Sequence, residues 1–483
     1  MSTTPSTTTA TAVPTGPFAA VPSAAAAVVP RPPRPVPQWW RDTAGAATWL
    51  SVLVVIALWL AGGGLAAVHS GGEALTSLGR VTGLVASDLL LVQVLLMARI
   101  PLVERSYGQD ELARRHRWVG FASFNLMVLH VVAITLGYAA TSPAGLWGTI
   151  VDFVLNYPGM LLAVAGTVAL CAVVATSMRA ARRRLRYESW HLVHLYAYRG
   201  VGLALPHQLW TGQEFLTSPV ATVYWWGRYA AALASVLVWR VGLPVYRSLR
   251  HALVVTDVRA ENDGVTTVTV GGRQLHRLPV QAGQFLHWRF LGGPGASRAH
   301  PYSLSAAPDG HSLRITVAHL GDGSCARARL RPGTRVMVEG PYGRLHAGVR
   351  TRTKVLLMAS GIGITPMRAL LEDLEQQPGD VVLIYRAHSD DDVILRDELV
   401  ALARARGARL FIATGSRVPD RHSWLPADAA HLSDVEGLRH LVPDVDQRDV
   451  YLCGSPGWMS AAERAALDAG VPRGHVHLER FAY

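Results

Sequence analysis

His116-Arg117-Trp118-Val119-Gly120-Phe121-Ala122-Ser123-Phe124-Asn125-Leu126-Met127-Val128-Leu129-His130 is an apolar run closed by a histidine at each end. His194-Leu195-Tyr196-Ala197-Tyr198-Arg199-Gly200-Val201-Gly202-Leu203-Ala204-Leu205-Pro206-His207 repeats the arrangement. The histidines lie 14 residues apart in the first run and 13 in the second. In a helix either separation covers about 20 Å, most of the way across a bilayer core. Ionisable side chains at such depths are costly and usually functional. Two helices that each place a histidine near either membrane face can hold two stacked metal centres. Neutral imidazoles above and below a haem iron are the chemistry that uses this spacing, so the pattern reads as a path for electrons through two b-type haems. The expected ligand pairs are His116 with His194 and His130 with His207. Any single one of the 19 histidines reads as a surface or hydrogen-bonded core residue; two pairs at nearly equal spacing argue for ligands. The second run is less regular. Its 13 helical steps leave the two histidines about 140° apart, against about 40° for 14 steps. Pro206, with Gly200 and Gly202 upstream, offers a distortion that re-aims His207.

Working outward, six apolar segments at roughly 47–68, 81–103, 118–139, 159–177, 190–210 and 221–245 each approach the ~20 residues of a spanning helix. Half of all residues are hydrophobic, and the formal charge of +12 is unevenly distributed. Arg105, Arg114, Arg115 and Arg117 form one basic loop; Arg179, Arg182, Arg183, Arg184 and Arg186 form another. No aromatic interleaving or nucleic-acid motif accompanies them, so they read as membrane topology, with a lipid bilayer and not a nucleic acid as partner. The positive-inside rule then makes the chain a multi-pass cell-membrane protein with both termini cytoplasmic. His116 and His194 share the inner level, His130 and His207 the outer one. Arg199, inside the fifth segment, needs an anionic partner; a haem propionate and Asp88 are the two candidates. Residues 1–44 are rich in Thr, Ala and Pro and read as a disordered tail. Cys171, Cys325 and Cys453 are too scattered for a four-thiolate cluster or a disulfide framework.

From about 250 the composition becomes that of a soluble protein. Short β-type runs over 251–345, such as Thr266-Thr267-Val268-Thr269-Val270, are broken by Gly and Pro turns and read as a small antiparallel barrel. From 353 the order is strand, glycine-rich turn, helix, strand: Val355-Leu356-Leu357-Met358-Ala359, Gly361-Ile362-Gly363, then Val381-Val382-Leu383-Ile384-Tyr385. That is the grammar of a parallel nucleotide-binding sheet.

These motifs carry a resemblance. His300-Pro301-Tyr302-Ser303-Leu304-Ser305 resembles the flavin signature of the ferredoxin–NADP reductase superfamily, in the His-Pro form seen in NADPH oxidases and ferric reductases. The resemblance implies that the Tyr302 ring packs on the isoalloxazine and that the hydroxyl of Ser303 bonds to the flavin. Gly321-Asp322-Gly323-Ser324 resembles the segment that holds the FAD pyrophosphate, where Gly321, Gly323 and Ser324 offer amides and a hydroxyl. Gly361-Ile362-Gly363-Ile364-Thr365-Pro366-Met367 is similar to the nicotinamide-dinucleotide loop. A lone Gly-x-Gly also fits a ligand-free turn, but its place between a strand and a helix favours a pyrophosphate site. Cys453-Gly454 resembles the segment near the hydride-transfer site, with a buried core thiol as the plain alternative. In the family a terminal aromatic covers the flavin, which points to Phe481 first and Tyr483 second. The membrane part resembles a ferric reductase-like domain, whose haem-ligand spacing the four histidines match.

The fold expected is a six-helix transmembrane bundle (45–248), an antiparallel β-barrel FAD domain (249–350) and an α/β parallel-sheet NAD(P) domain (351–483). Flavin accepts two electrons as hydride and releases them singly, so NAD(P)H, FAD, the inner haem and the outer haem form a sequence. The acceptor at the outer face stays open between a ferric chelate, which is favoured, oxygen, and a redox partner protein. A membrane haem module whose soluble half only binds a regulator is the rival reading. The flavin and nicotinamide motifs count against it. NADPH is preferred over NADH because Arg386 and Arg417 follow successive strands where an adenosine 2′-phosphate would lie. Asp390, Asp391 and Asp392 would oppose this if they pointed inward.

Overall fold

The computed structural model describes residues 19–21, 39–178, 181, 184–185, 187–262, 264–292, 298–319, 330–419 and 421–479. The chain forms two compact units, Gln38–Gly242 and Leu243–Ala482, the latter joined by strand β1 (Ala19–Val21) from the N-terminal tail.

The first unit is helical. Its helices are α1 (Trp39–Ala61), α2 (Gly71–Met97), α3 (Pro101–Tyr107), α4 (Gln109–Ala139), α5 (Gly145–Asn156), α6 (Met160–Ser177), α7 (Tyr187–Thr211), α8 (Gln213–Thr217) and α9 (Pro219–Ser235). A π-helical stretch, Val236–Gly242, continues α9. Among the described residues five helices are long and apolar enough to span a membrane, not the six expected. The segment expected at 190–210 does form a helix, α7, of 25 residues. His191, His194, Arg199, His207 and Gln208 make it more polar than its neighbours, so length alone qualifies it. Arg114, Arg115 and Arg117, expected in a loop, lie on α4 itself, because that helix starts at Gln109.

Small residues bring the helices together. A Cβ on Gly79 of α2 would lie 2.8 Å from the Ile134 amide of α4, and one on Gly137 would lie 2.7 Å from the Thr76 amide. A Cβ on Gly166 of α6 would lie 2.7 Å from the Gly200 carbonyl of α7. Such contacts let backbones approach where apolar burial gives little drive between helices. Asp88 of α2, fully buried, pairs with Arg228 of α9 and accepts the Ser51 hydroxyl of α1 at 2.7 Å. This overturns one of the two partners considered for Arg199, whose guanidinium instead sits 5.0 Å from the Tyr196 ring.

The second unit starts with α10 (Leu243–His251). Its first lobe holds β2 (Val254–Asn262), β3 (Val265–Gly271), β4 (Phe285–Phe290), β5 (His300–Ser303), β6 (Ser312–Ala318) and β7 (Val336–Tyr342). The expected barrel is not closed among the described residues. The strands form two three-stranded antiparallel sheets, β2-β3-β6 and β5-β4-β7, linked by the single bridges Val254–Arg335 and Leu304–Ile315. β5 has only four residues, and past its end the Ser305 amide donates to the Arg314 carbonyl at 2.8 Å. Val268, Leu286, Trp288, Phe290, Ile315 and Val338 nevertheless make one shared core.

The second lobe contains β8 (Val355–Ser360), α11 (Ile364–Asp373), β9 (Val381–Arg386), α12 (Arg396–Arg406), β10 (Arg409–Ala413), α13 (Asp434–Leu441), β11 (Asp449–Cys453), α14 (Pro456–Asp468) and β12 (Val476–Leu478). The sheet order is β1-β10-β9-β8-β11-β12, parallel except for β1. The chain therefore winds outward in one direction from β8 to β10 and in the other from β11 to β12. The reversal lies between β8 and β11.

Asp449, at the start of β11 and fully buried, ties down this sheet's other end. It accepts from the Thr351 and Arg352 amides at 2.7 Å, and from His475 Nδ1 and His477 Nε2 at 3.1 Å. Burial by itself would raise its pKa, but the bonds from His477 and the two amides outweigh it and hold the carboxyl at about 2. A carboxylate depressed from its ordinary value of about 3.9 stabilises the fold fully above that pH and progressively less as pH falls towards its folded value. Asp449→Asn is expected to cost roughly 2 kcal/mol at neutral pH and to flatten the acid limb of stability. Thermal unfolding of the full chain followed by tryptophan fluorescence checks this; identical midpoints at neutral pH would contradict it.

Candidate functional site

In an open α/β sheet a ligand binds beyond the carboxyl ends of the strands where the winding reverses. Here that point lies between the end of β8 and the end of β11, which are in register at Ala359 and Cys453. The turn Gly361–Gly363 follows β8 directly and leads into α11. The two glycines serve different needs. Gly361 has φ +55° and open space around the position of a Cβ. A Cβ on Gly363 would lie 2.2 Å from the Cys453 carbonyl oxygen and 2.8 Å from the Gly454 amide. So Gly363 lets the turn press on the end of β11, and Gly361 leaves the room a phosphate needs. Ile364, Thr365 and Pro366 form the buried first turn of α11, and Thr365 Oγ1 donates to the Ile362 carbonyl at 3.1 Å.

Cys453 is fully buried. Burial, with a smaller push from the Glu479 carboxylate, raises its thiol pKa, so the sulfur stays protonated and is no nucleophile. Its backbone is what meets the turn. Glu479 is a residue the sequence reading passed over: it is 7% exposed, and a Cβ on Gly343 would lie 2.6 Å from its Oε2. Its only signal was its place just before the terminal aromatic.

Arg386 and Arg417 part company. Arg386 ends β9, is 6% exposed, and donates to the carbonyls of Ala387, of Gly415 and of Ser416, the last two at 2.8 Å. Its guanidinium holds the loop after β10. Burial first, and the nearby Arg417 charge second, lower its pKa. Arg417 is exposed on that same loop. Asp390 is engaged with Arg396 at 2.6 Å, and Asp392 accepts from the Ser389 amide at 3.0 Å and from its hydroxyl at 2.6 Å.

The expected flavin motif forms β5, paired antiparallel with β4 so that Tyr302 faces Leu286 and Ser303 faces Phe285. Trp288 Nε1 donates to the Tyr302 carbonyl at 3.0 Å and fixes the strand. The rings of His300 and Tyr302 lie parallel on one side, 6.0 Å apart and 9° from coplanar, while Pro301 sits opposite His287. Ser303 Oγ is buried with no hydrogen-bond partner among the described residues, as a hydroxyl reserved for a ligand would be. Gly321, Gly323, Ser324 and Phe481 lie outside the described residues.

Among the four membrane histidines, His116 of α4 and His194 of α7 meet with ring centroids 5.9 Å apart. An iron bonded to one nitrogen of each ring at ~2 Å would set the centroids roughly 6 Å apart, so the pair fits. His130 Nδ1 donates to the Gly79 carbonyl at 2.7 Å. A carbonyl only accepts, so Nδ1 carries the proton and Nε2 keeps its lone pair for a metal. His194 Nδ1 lies 3.3 Å from the Ser177 hydroxyl, and the Nδ1 atoms of His116 and His207 are buried without a partner among the described residues. Pro206 lies inside an unbroken α7. A Cβ on Gly159 would lie 2.7 Å from the His207 amide, which presses the start of α6 against this turn. Gly79 and Ser177, which orient two of the imidazoles, carried no signal in the sequence.

Two family models match. Residues 82–205 match the ferric reductase like transmembrane component, and residues 357–464 match the oxidoreductase NAD-binding domain. The chain is 33% identical over 239 residues to the ferredoxin reductase component of 3-ketosteroid-9-alpha-monooxygenase from Mycolicibacterium smegmatis, covering 48% of this chain and 65% of that relative. It therefore spans somewhat less than two thirds of that relative's length. It is 31% identical over 210 residues to ferredoxin–NADP reductase B from Sorangium cellulosum, covering 42% of this chain and 85% of the relative. Among solved structures, the flavohem-like FAD/NAD-binding domain of nitric oxide dioxygenase from Vibrio cholerae O1 biovar El Tor aligns with 48% of this chain and 98% of its own, at 25% identity and a TM-score of 0.39.

Proposed function

Since the chain belongs to the ferredoxin–NADP reductase family and adds a ferric reductase-like transmembrane component, we propose that it carries electrons from cytoplasmic NAD(P)H across the membrane to an acceptor on the far side. The observation that carries this is the meeting of Gly361–Gly363 with Cys453–Gly454 at the reversal of the sheet, in a chain whose α4 and α7 also face His116 to His194. FAD supplies the conversion of one hydride into two single electrons, and two b-type haems supply one-electron sites in the bilayer. The residues do the rest. Gly361 and the first turn of α11 receive the nicotinamide pyrophosphate. Arg417 meets an adenosine 2′-phosphate, with Arg386 holding its loop in place. Tyr302 and Ser303 seat the flavin, with Gly321, Gly323 and Ser324 on its pyrophosphate, and Phe481 covers its ring. His116 with His194 hold the inner haem, and His130 with His207 the outer one. Ferric iron is the favoured acceptor.

The test is the visible spectrum of the purified full-length protein without oxygen. NADPH should bleach the flavin absorbance and raise reduced b-type haem bands, faster than NADH does. Ferric chelate should then reoxidise the haems. A spectrum unchanged by either nucleotide would overturn the proposal, and reoxidation by oxygen alone would replace ferric iron with oxygen as the acceptor.

A further inference from the structure

The reductase unit contains a network whose charged side chains belong to neither the nucleotide nor the flavin motif. Glu398 of α12 is its hub. Its Oε1 accepts from Arg314 NH1 at 3.0 Å, and its Oε2 accepts from Arg314 NH2 at 2.8 Å and Arg368 Nε at 3.0 Å. Arg314, on β6 in the first lobe, also donates to the Ser305 carbonyl at 2.8 Å. Arg368, on α11 in the second lobe, also donates to Glu372. Glu372 Oε2 in turn accepts the Ala307 amide at 2.7 Å.

Two separate routes thus connect the same two places. One runs Ser305–Arg314–Glu398–Arg368, the other Ala307–Glu372–Arg368. Ser305 and Ala307 lie just past the flavin strand, and Arg368 lies one turn beyond the nucleotide loop. The Arg314 and Arg368 side chains are 16% and 8% exposed, against 29% for Glu398. A bidentate guanidinium–carboxylate pair, mostly shielded from water, fixes distance and angle together. Hydride transfer depends steeply on both.

Resting on the reductase reading above, we propose that Glu398, through Arg314 and Arg368, is a positioning residue that sets the spacing between the flavin strand and the nucleotide loop. It lies on α12, outside both the flavin motif and the nucleotide loop. Its effect reaches the reaction only through where α11 sits relative to β5.

Glu398→Gln keeps the shape of the side chain but removes the charge shared by four guanidinium nitrogens, those of Arg314 and Arg368 and, at 3.4 Å, NH2 of the more exposed Arg259. In the full-length protein, flavin reduction by saturating NADPH followed by stopped flow is expected to slow roughly 10- to 100-fold. Nucleotide affinity and FAD content should stay as in wild type. Amide exchange in peptides covering 304–307 and 364–373 should quicken, a readout independent of turnover. Arg368→Lys, which keeps the charge but cannot reach both carboxylates with a planar fork, should fall between the two. A Glu398→Gln protein with the wild-type reduction rate would overturn the clamp, as would a loss confined to FAD content. A wild-type protein whose flavin NADPH does not reduce would overturn the reductase reading itself, which the same traces show separately.

Discussion

His130→Ala and His207→Ala are each expected to yield a protein with one haem per chain in place of two, while NADPH still reduces the flavin. Each haem would draw one ligand from α4 and one from α7, so deleting either member of the outer pair leaves the inner pair intact. His130 shows why the loss should be complete. Its Nδ1 is committed to the Gly79 carbonyl, which leaves Nε2 as the single atom able to bind metal. Alanine removes that atom. Haem content by pyridine haemochrome checks the result. Reduction of an acceptor on the far side should fall about 100-fold or more, since the electron path ends one carrier short. His191→Ala, on the same helix but outside either pair, should keep both haems. If either outer-pair variant retains two haems, the pairing is wrong.

Valine at Gly363 should be nearly as damaging, by a different route from valine at Gly361. At Gly363 the new side chain would meet the backbone of Cys453 and Gly454, which cannot swing aside. The turn must lift off β11, so both NADPH-driven flavin reduction and thermal stability should fall. At Gly361 the space is open, and the penalty for the left-handed backbone is ~1–2 kcal/mol. Gly361→Val should therefore remain folded with FAD bound and lose nucleotide affinity about 100-fold, because the branch occupies the room left for phosphate. Nucleotide titration of both variants, beside their melting curves, separates the two effects. Wild-type affinity in Gly361→Val would remove the crevice from consideration.

The parallel sheet and its turn were legible because buried strands read as unbroken apolar runs, and Val355–Ala359 and Val381–Tyr385 are such runs. The meeting of His116 with His194 was legible for the opposite reason, since both are polar exceptions in apolar surroundings. What escaped was set by contacts distant in sequence. Nothing near Arg386 announces that its guanidinium will be satisfied by the carbonyls of Gly415 and Ser416, some 30 residues on. The barrel expectation read antiparallel strands but could not see that they would divide into two three-stranded sheets. The helix count went astray at α7 because the polar residues that make that segment interesting also lower its hydropathy. α5, a 12-residue helix between α4 and α6, was too short to register as a span.

The bond from His130 to Gly79 has an evolutionary corollary. The acceptor is a main-chain oxygen, so no side-chain substitution can delete it, and its direction is inherited from the path of α2. A residue larger than glycine would disturb it at 79, by colliding with Ile134, and at 83, by colliding with the His130 ring itself. The tautomer of this imidazole is thereby set by the main chain and not by the chemistry of a neighbouring side chain.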